Sequence, residues 1–402
     1  MKNPFKPGNG HMPPYLAGRS SERAEFEKLL DQDIILSNLV ITGLRGIGKT
    51  VLLESFKPIA QDKKWLWAGT DCSESVSVDE NSIALRILTD VALLTSNIKI
   101  AEESRAELGF ATSSAKTDIY LNFELITSIY RNAPGFAADK LKFTLVTVWR
   151  YLKEQDIKGV VFAYDEAQTL SDHAGEKQYP LSMLLDVFSY LQKNAIPFML
   201  VLTGLPTLLS LLVNTRTYSE RLFHVLILDK LTPAESRDAI LIPIQKTKHP
   251  LKFNERSIDL IINQAGGYPY FIQFICREVY DIFEQQLLNN VTPSVPIDAI
   301  IQKLDNDFFA GRWARATERE KDLMTFAASM GTPEFSSMQI AEKSTASKDV
   351  RRFSSSQVTQ MLNRLIEAGL IYKNRRGVYS FAVPLLERYI LRATNQTGVV
   401  SS

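Results

Sequence analysis

The stretch Val40-Ile41-Thr42-Gly43-Leu44-Arg45-Gly46-Ile47-Gly48-Lys49-Thr50 constrains this chain more than any other. It reads as a buried strand, a glycine-bent loop and a helix start, and it meets the G-x-x-x-x-G-K-[ST] pattern at every fixed position. Gly43, Gly46 and Gly48 carry no Cβ, so the backbone can turn its N–H groups inward around an anion. A helix opening near Lys49 aims the positive end of its dipole at the same place. Such a nest suits a polyphosphate. Leu44, Arg45, Ile47 and Val51 complete the loop and the first helical turn. Lys49 adds a mobile charge for the β- and γ-phosphates, and the Thr50 hydroxyl is placed to hold Mg²⁺.

A second segment gains meaning from the first. Val160-Val161-Phe162-Ala163-Tyr164-Asp165-Glu166 is an apolar strand that ends abruptly in two acids. With a phosphate loop upstream, Asp165 is expected in the Mg²⁺ shell, and Glu166 is expected to orient and deprotonate an attacking water. A third apolar run, Phe198 to Leu202, leads into Thr203, a polar residue at a strand tip. Thr203 is therefore a candidate sensor of the γ-phosphate; a hydroxyl capping the next helix is the plainer reading.

Around these segments, strands alternate with helices. Strands are expected at Leu39–Thr42, Trp65–Gly69, 160–166, Phe198–Leu202 and Val225–Leu228, most of them continuous apolar runs. That pattern predicts a five-stranded parallel sheet with helices on both faces. Residues 1 to 15 read as an extended arm, and residues 96 to 140 as an insertion without a sustained period. After Lys230 the pattern becomes all-helical. Thr232-Pro233 opens one helix, Gly266-Gly267 ends a second, and a third starts near Pro269. The final segment begins with the capping box Thr317-Glu318-Arg319-Glu320. A helix over Ser354–Ala368 follows, then a hairpin turning at Asn374-Arg375-Arg376-Gly377, the order of a winged helix. The expected domains are 1–229, 230–310 and 311–395.

Charge and composition narrow the partners. The net charge of +1 gives no global sign of nucleic-acid binding, so any basic surface has to be local. Residues 312 to 402 carry fourteen Lys and Arg against eight Asp and Glu, which leaves the rest of the chain near −5. In the winged helix, Lys373, Arg375 and Arg376 of the hairpin, with Gln360 and Arg364 of the third helix, are the candidate contacts to duplex DNA. Cys72 and Cys276 lie far apart and read as reduced thiols, and the four histidines have no zinc spacing. Met1 to Gly10 lacks the apolar core of a signal peptide, and Phe198 to Val213 is too short to span a bilayer. A cytoplasmic protein with no membrane partner is expected.

Taken together, the chain resembles the AAA+ ATPases, in the branch that holds origin-recognition-like initiators and STAND signalling ATPases. The resemblance rests on Leu16-Ala17-Gly18-Arg19, the phosphate loop, Asp165-Glu166, Glu220-Arg221-Leu222, Gly266-Gly267-Tyr268-Pro269 and the terminal winged helix. It implies ATP and Mg²⁺ as ligands and adenine contacts from Leu16, Gly18, Arg19 and Pro269. It also implies self-association in which Arg221 reaches a neighbour's γ-phosphate. Two positions depart from the family. Thr203 stands where an asparagine is usual, and the Gly267-Tyr268-Pro269-Tyr270 helix start lacks the arginine often found there, although Arg277 lies two turns on. Slow or partner-stimulated hydrolysis is the consequence. The resemblance implies a nucleotide-dependent switch acting on DNA; the alternative is a signalling ATPase whose winged helix binds protein, as in defence or transcriptional control.

Overall fold

The computed structural model describes residues 3–8, 10–32, 34–105, 115–246, 253–290, 292, 294–346, 352–375 and 377–400. The chain divides into two compact units. One comprises Ser20–Thr42 and Lys49–Ile227; the other comprises Met1–Arg19, Gly43–Gly48 and Leu228–Ser402.

The first, an α/β unit, opens with α1 (Ser20–Leu30) and runs through β1 (Asn38–Thr42), α2 (Lys49–Asp62), β2 (Trp65–Asp71) and α3 (Glu80–Thr95). A two-stranded antiparallel ribbon follows, β3 (Lys99–Arg105) with β4 (Ala115–Tyr120), then α4 (Phe123–Asn132) and α5 (Ala137–Leu152). The unit closes with β5 (Gly159–Asp165), α6 (Pro180–Lys193), β6 (Phe198–Gly204), α7 (Thr207–Thr215), α8 (Ser219–Leu222) and β7 (Phe223–Ile227). Five of these strands form one parallel sheet in the order β2-β5-β6-β1-β7. The three central strands are buried at every residue. A parallel strand covered on both faces needs apolar side chains at successive positions, so their runs are continuous rather than alternating. The flanking strands β2 and β7 mix buried and exposed positions. On one flank α1 packs on α2, with the Phe26 and Phe56 rings stacked 4.2 Å apart.

This order brings the functional ends together. All five strands run the same way, so the end of β1, the acid-tipped end of β5 and Thr203 near the end of β6 lie along one rim, with β6 hydrogen-bonded to both β1 and β5. Ligands in open sheets of this kind bind outside the carboxyl ends of the strands. Residues 96 to 140 depart from expectation. They contain the β3–β4 ribbon and α4, whose N-cap Asn122 accepts the Leu125 N–H at 3.0 Å. A short polar ribbon standing apart from the main sheet has little apolar periodicity to betray it.

The helical unit contains α9 (Pro233–Lys246), α10 (Glu255–Ala265), α11 (Pro269–Leu288) and α12 (Ile297–Leu304). A π-helical turn at Asp305–Ala310 leads into α13 (Gly311–Trp313), and α14 (Glu318–Ala328) follows. Then come β8 (Phe335–Ser336), α15 (Ser337–Ala346), α16 (Ser355–Glu367), β9 (Ile371–Arg375), β10 (Val378–Phe381) and α17 (Leu386–Val400). The sheet order β8-β10-β9 and helices α14 to α16 are consistent with a winged helix. Both of its capping boxes are present, Thr317 with Glu320 and Ser354 with Gln357. Strand β8 and helices α12 and α17 are additions to the sequence reading.

The N-terminal arm is packed rather than free. Phe5 is 2 % exposed and sits with Phe253 and Tyr280 at ring separations of 6.4 Å. Asn3 donates to the Arg277 carbonyl and to Asp281, at 3.1 and 2.7 Å. Lys246 donates to the Pro14 carbonyl at 3.0 Å. Losing a buried phenylalanine side chain costs about 3–5 kcal/mol, so Phe5→Ala should lower unfolding stability by that order. Denaturant titration checks this; a change within about 0.5 kcal/mol, the range of ordinary surface substitutions, would contradict the packed arm.

Candidate nucleotide site

The glycine-bent loop is shaped as its sequence requires. Gly46 and Gly48 have φ of +72° and +93°, a left-handed region that side chains disfavour. A Cβ on Gly43 would stand 2.9 Å from the Leu228 carbonyl oxygen, so close approach fixes that glycine. Helix α2 starts at Lys49, and the Lys49 side chain is buried. Leu44 is half-buried, Arg45 exposed, Ile47 buried and Val51 half-buried.

Within the helical unit several expected adenine contacts gather around this loop. Arg19 is buried, and its guanidinium donates to the carbonyls of Gly18, Ile47 and Asp229 at 3.2, 3.1 and 2.8 Å. Gly18, with φ of +61°, lies so close to Glu235 and Leu231 that a Cβ would clash. Pro269 opens α11, and its ring lies 4.0 Å from where a Gly48 Cβ would be. Leu16, half-buried, precedes this group. Arg19 therefore ties the loop backbone to the chain leaving β7, a bracing role that the motif alone did not indicate.

Within the α/β unit the acid-tipped strand meets the start of α2. Thr50 Oγ1 donates to Asp165 Oδ2 at 2.5 Å, and the Glu166 N–H donates to Asp165 Oδ1 at 2.8 Å. Asp165 is 4 % exposed. Burial pushes its pKa above the usual carboxylate value and Glu166 adds to the rise, while both hydrogen bonds and the Lys49 charge oppose it. A buried carboxylate and a hydroxyl at one point are hard oxygen donors. Among the described residues no cluster of three His, Cys, Asp or Glu could cage a metal. Two protein oxygens suit Mg²⁺, which keeps several waters and takes the remaining ligands from substrate phosphates. The residues fit that ion.

Glu166 is exposed and takes a left-handed φ of +52°, which turns the chain sharply out of β5. Its carboxylate accepts from the Gln168 side-chain amide. The Gln168 carbonyl oxygen in turn accepts the Leu205 N–H at 3.0 Å, and a Cβ on Gly204 would approach it to 2.6 Å. Gln168 thus links the second acid to the exit of β6. No sequence pattern marks it, because a glutamine two residues past the acids has no fixed spacing to a known chemistry.

Thr203 is fully buried in β6, opposite Ile41, and its hydroxyl has no hydrogen-bond partner. Thr42, at the end of the adjacent strand, has an orphaned hydroxyl as well. Helix α7 begins at Thr207 behind Pro206, so Thr203 is not its cap. Arg221 lies in α8 with an exposed side chain. In the C-terminal segment, Gln360 and Lys373 are exposed and Arg375 ends β9. Arg364 is paired with Glu320 at 3.1 Å. Arg376 lies outside the described residues.

Because its folded pKa is raised, Asp165 is tolerated in acid and costs stability as pH climbs through that value. Asp165→Asn should therefore unfold at a higher temperature than the parent at neutral pH, with the advantage shrinking below the usual carboxylate range. Thermal unfolding across pH checks this; an advantage that grew toward acid would contradict it.

Comparison with known proteins concerns both the tail and the whole chain. Residues 306–390 match a family described as a domain of unknown function (DUF8462). No curated protein matches the sequence. Among solved structures, a Walker-type ATPase of Pyrococcus abyssi is similar over 94 % of this chain and 96 % of its own, at 15 % identity and a TM-score of 0.57. The ORC2 protein of Aeropyrum pernix, in its ADPNP-ADP complexes, is similar over 98 % of each chain, at 15 % identity and a TM-score of 0.54. The chain shares its fold with these ATP-site proteins.

Proposed function

We propose that this protein binds and hydrolyses Mg-ATP as an AAA+ switch. The observation that carries the reading is the Thr50–Asp165 hydrogen bond, which joins the first turn after a phosphate loop to the tip of an acid-ended strand. In this reading the loop backbone and the N-terminus of α2 cradle the phosphates, Lys49 neutralises them, and Thr50 and Asp165 hold Mg²⁺. The ion would supply charge neutralisation at the phosphates. Glu166 accepts a proton from the attacking water, and Gln168 holds the Glu166 carboxylate in position. Thr203, whose buried hydroxyl has no partner, senses the terminal phosphate. Leu16, Gly18, Arg19 and Pro269 surround the base.

The finer parts belong to the same proposal. Residues 1–229, 230–310 and 311–395 act as nucleotide-binding domain, lid and winged helix. The exposed Arg221 acts on the nucleotide of a second copy, and Lys373, Arg375 and Arg376 meet duplex DNA. Binding to a protein partner is the second reading. The Arg364–Glu320 ion pair favours it, since it engages the one cation among the outward residues Thr359, Gln360, Asn363 and Arg364 of α16.

Two sets of measurements test these assignments. Lys49→Ala should abolish ATP binding by calorimetry, whereas Glu166→Gln should retain it and lose about 10²- to 10⁴-fold in turnover. Arg221→Ala should lose turnover by about 10³- to 10⁵-fold and recover it when mixed with Lys49→Ala protein, which still carries the arginine. Normal hydrolysis by Glu166→Gln would remove the assigned base, and no recovery on mixing would remove the action in trans. For DNA, the logarithm of the binding constant should fall with that of salt, and Lys373→Ala should reduce the slope by about one. A parent slope near zero would favour the protein partner.

A further inference from the structure

The core of the α/β unit holds a buried carboxylate behind the acid-tipped strand, and the function proposed above makes no use of it. Successive side chains of a strand point to opposite faces, so Tyr164 leaves β5 on the face away from Asp165. Asp165 meets Thr50 of α2 on one face, and Tyr164 meets α3 on the other. Tyr164 is 3 % exposed, and its hydroxyl donates to Asp90 Oδ2 at 3.0 Å. Asp90, in α3, is 4 % exposed and lies one turn after Arg86. The half-buried Arg86 guanidinium holds both carboxylate oxygens: Nη2 is 2.8 Å from Oδ1, and Nε donates to Oδ2 at 3.2 Å. A forked pair fixes direction as well as distance. All three contacts are donations to Asp90, the pattern that an ionised carboxylate takes. Burial raises the Asp90 pKa, while Arg86 and Tyr164 oppose the rise. Burial, followed by the Asp90 charge, holds the Tyr164 phenol well above its usual value, so it remains a donor.

Stability alone does not account for this group. Tyr164 and α3 share an apolar core with Phe162, Ile87 and Val91, where a phenylalanine and a leucine would pack without any polar atom. Exchanging a buried ion pair for well-packed apolar side chains is often neutral or stabilising. What the pair adds is position. Tyr164 can reach Asp90 only at one height of β5 against α3, and that height is set one residue before the acids. The pairing of β5 with β6 runs as far as Tyr164 opposite Leu202, whereas its pairing with β2 continues to Asp165 opposite Asp71. Tyr164 is therefore the last core side chain before the strand tip, where β5 loses one of its two neighbours.

We propose that Tyr164 and Asp90, with Arg86 behind them, are positioning residues for the metal: acting through the β5 backbone, they hold the Asp165 carboxylate where it and Thr50 can share Mg²⁺ with a bound nucleotide. This rests on the nucleotide reading given above. All three residues act from the far face of the sheet, through Asp165. Their loss should weaken the hold on the metal and spare the contacts to the nucleotide itself.

Calorimetric titration of the full chain with a non-hydrolysable ATP analogue, in saturating Mg²⁺ and again in EDTA, tests this. The parent should bind more tightly with Mg²⁺. Tyr164→Phe, which removes one hydroxyl and keeps the ring, should bind roughly 10-fold more weakly than the parent in Mg²⁺ and within about two-fold of it in EDTA, the lower end of the loss when a group supporting a metal ligand is removed. Tyr164→Phe combined with Asp90→Leu removes the buried charge together with the hydroxyl, should show the same selective loss, and keeps the test valid if the single variant folds poorly by circular dichroism. Equal losses with and without Mg²⁺, or parent-like binding in both even where the unfolding temperature falls, would overturn the proposal and leave the group a purely structural one. The parent separates these outcomes from failure of the underlying reading: binding that gains nothing from Mg²⁺ would remove the metal assignment and this proposal with it, and no binding at all would remove the nucleotide.

Discussion

A threonine hydroxyl hydrogen-bonded to a buried aspartate is the interaction on which the rest of the α/β unit is arranged. Thr50 can meet Asp165 only if α2 starts immediately after the glycine loop and β5 ends at the same rim of the sheet. The order β2-β5-β6-β1-β7 satisfies both demands with every strand parallel. Asp165 is costly to keep ionised, since burial opposes its charge. A folded protein retains such a group where a cation can repay the cost, and oxygen donors of this kind match a small divalent ion.

Strand β6 gives this arrangement a second layer. It lies between the strand that feeds the loop and the strand that carries the acids, so a change at its tip is felt on both sides. Gln168 makes the connection explicit through the Glu166 carboxylate and the Leu205 N–H. Gly204 leaves the room that this side chain needs. The loop is held differently: the Ile47 carbonyl accepts from Arg19 and the Gly46 carbonyl from the Tyr270 N–H. The loop is therefore braced through its main-chain carbonyls.

Much of this was legible in the sequence, for physical reasons that also explain what was not. The central strands announce themselves because burial on both faces requires continuous apolar runs, and the helix ends because capping residues satisfy free backbone groups. The polar β3–β4 ribbon buries too little to leave such a pattern. Phe5 stands among polar, Pro and Gly residues of the arm, and nothing local tells that it enters a core formed by residues some 250 positions away. Gln168 is placed by contacts that folding creates, and no spacing encodes them. Thr203 shows the converse. Its place at a strand tip was readable, but that its hydroxyl would be buried without a partner was not.

The proposed function turns on Thr50 and Asp165 holding Mg²⁺ with a bound nucleotide. Thermal unfolding of the parent protein with Mg²⁺ alone, ATP alone and both tests it most directly. Ligand at roughly a thousand times its dissociation constant adds about 4 kcal/mol to the folded state, so the two together should raise the unfolding temperature by several degrees and by more than either alone. An unfolding temperature unmoved by saturating Mg-ATP would contradict the account.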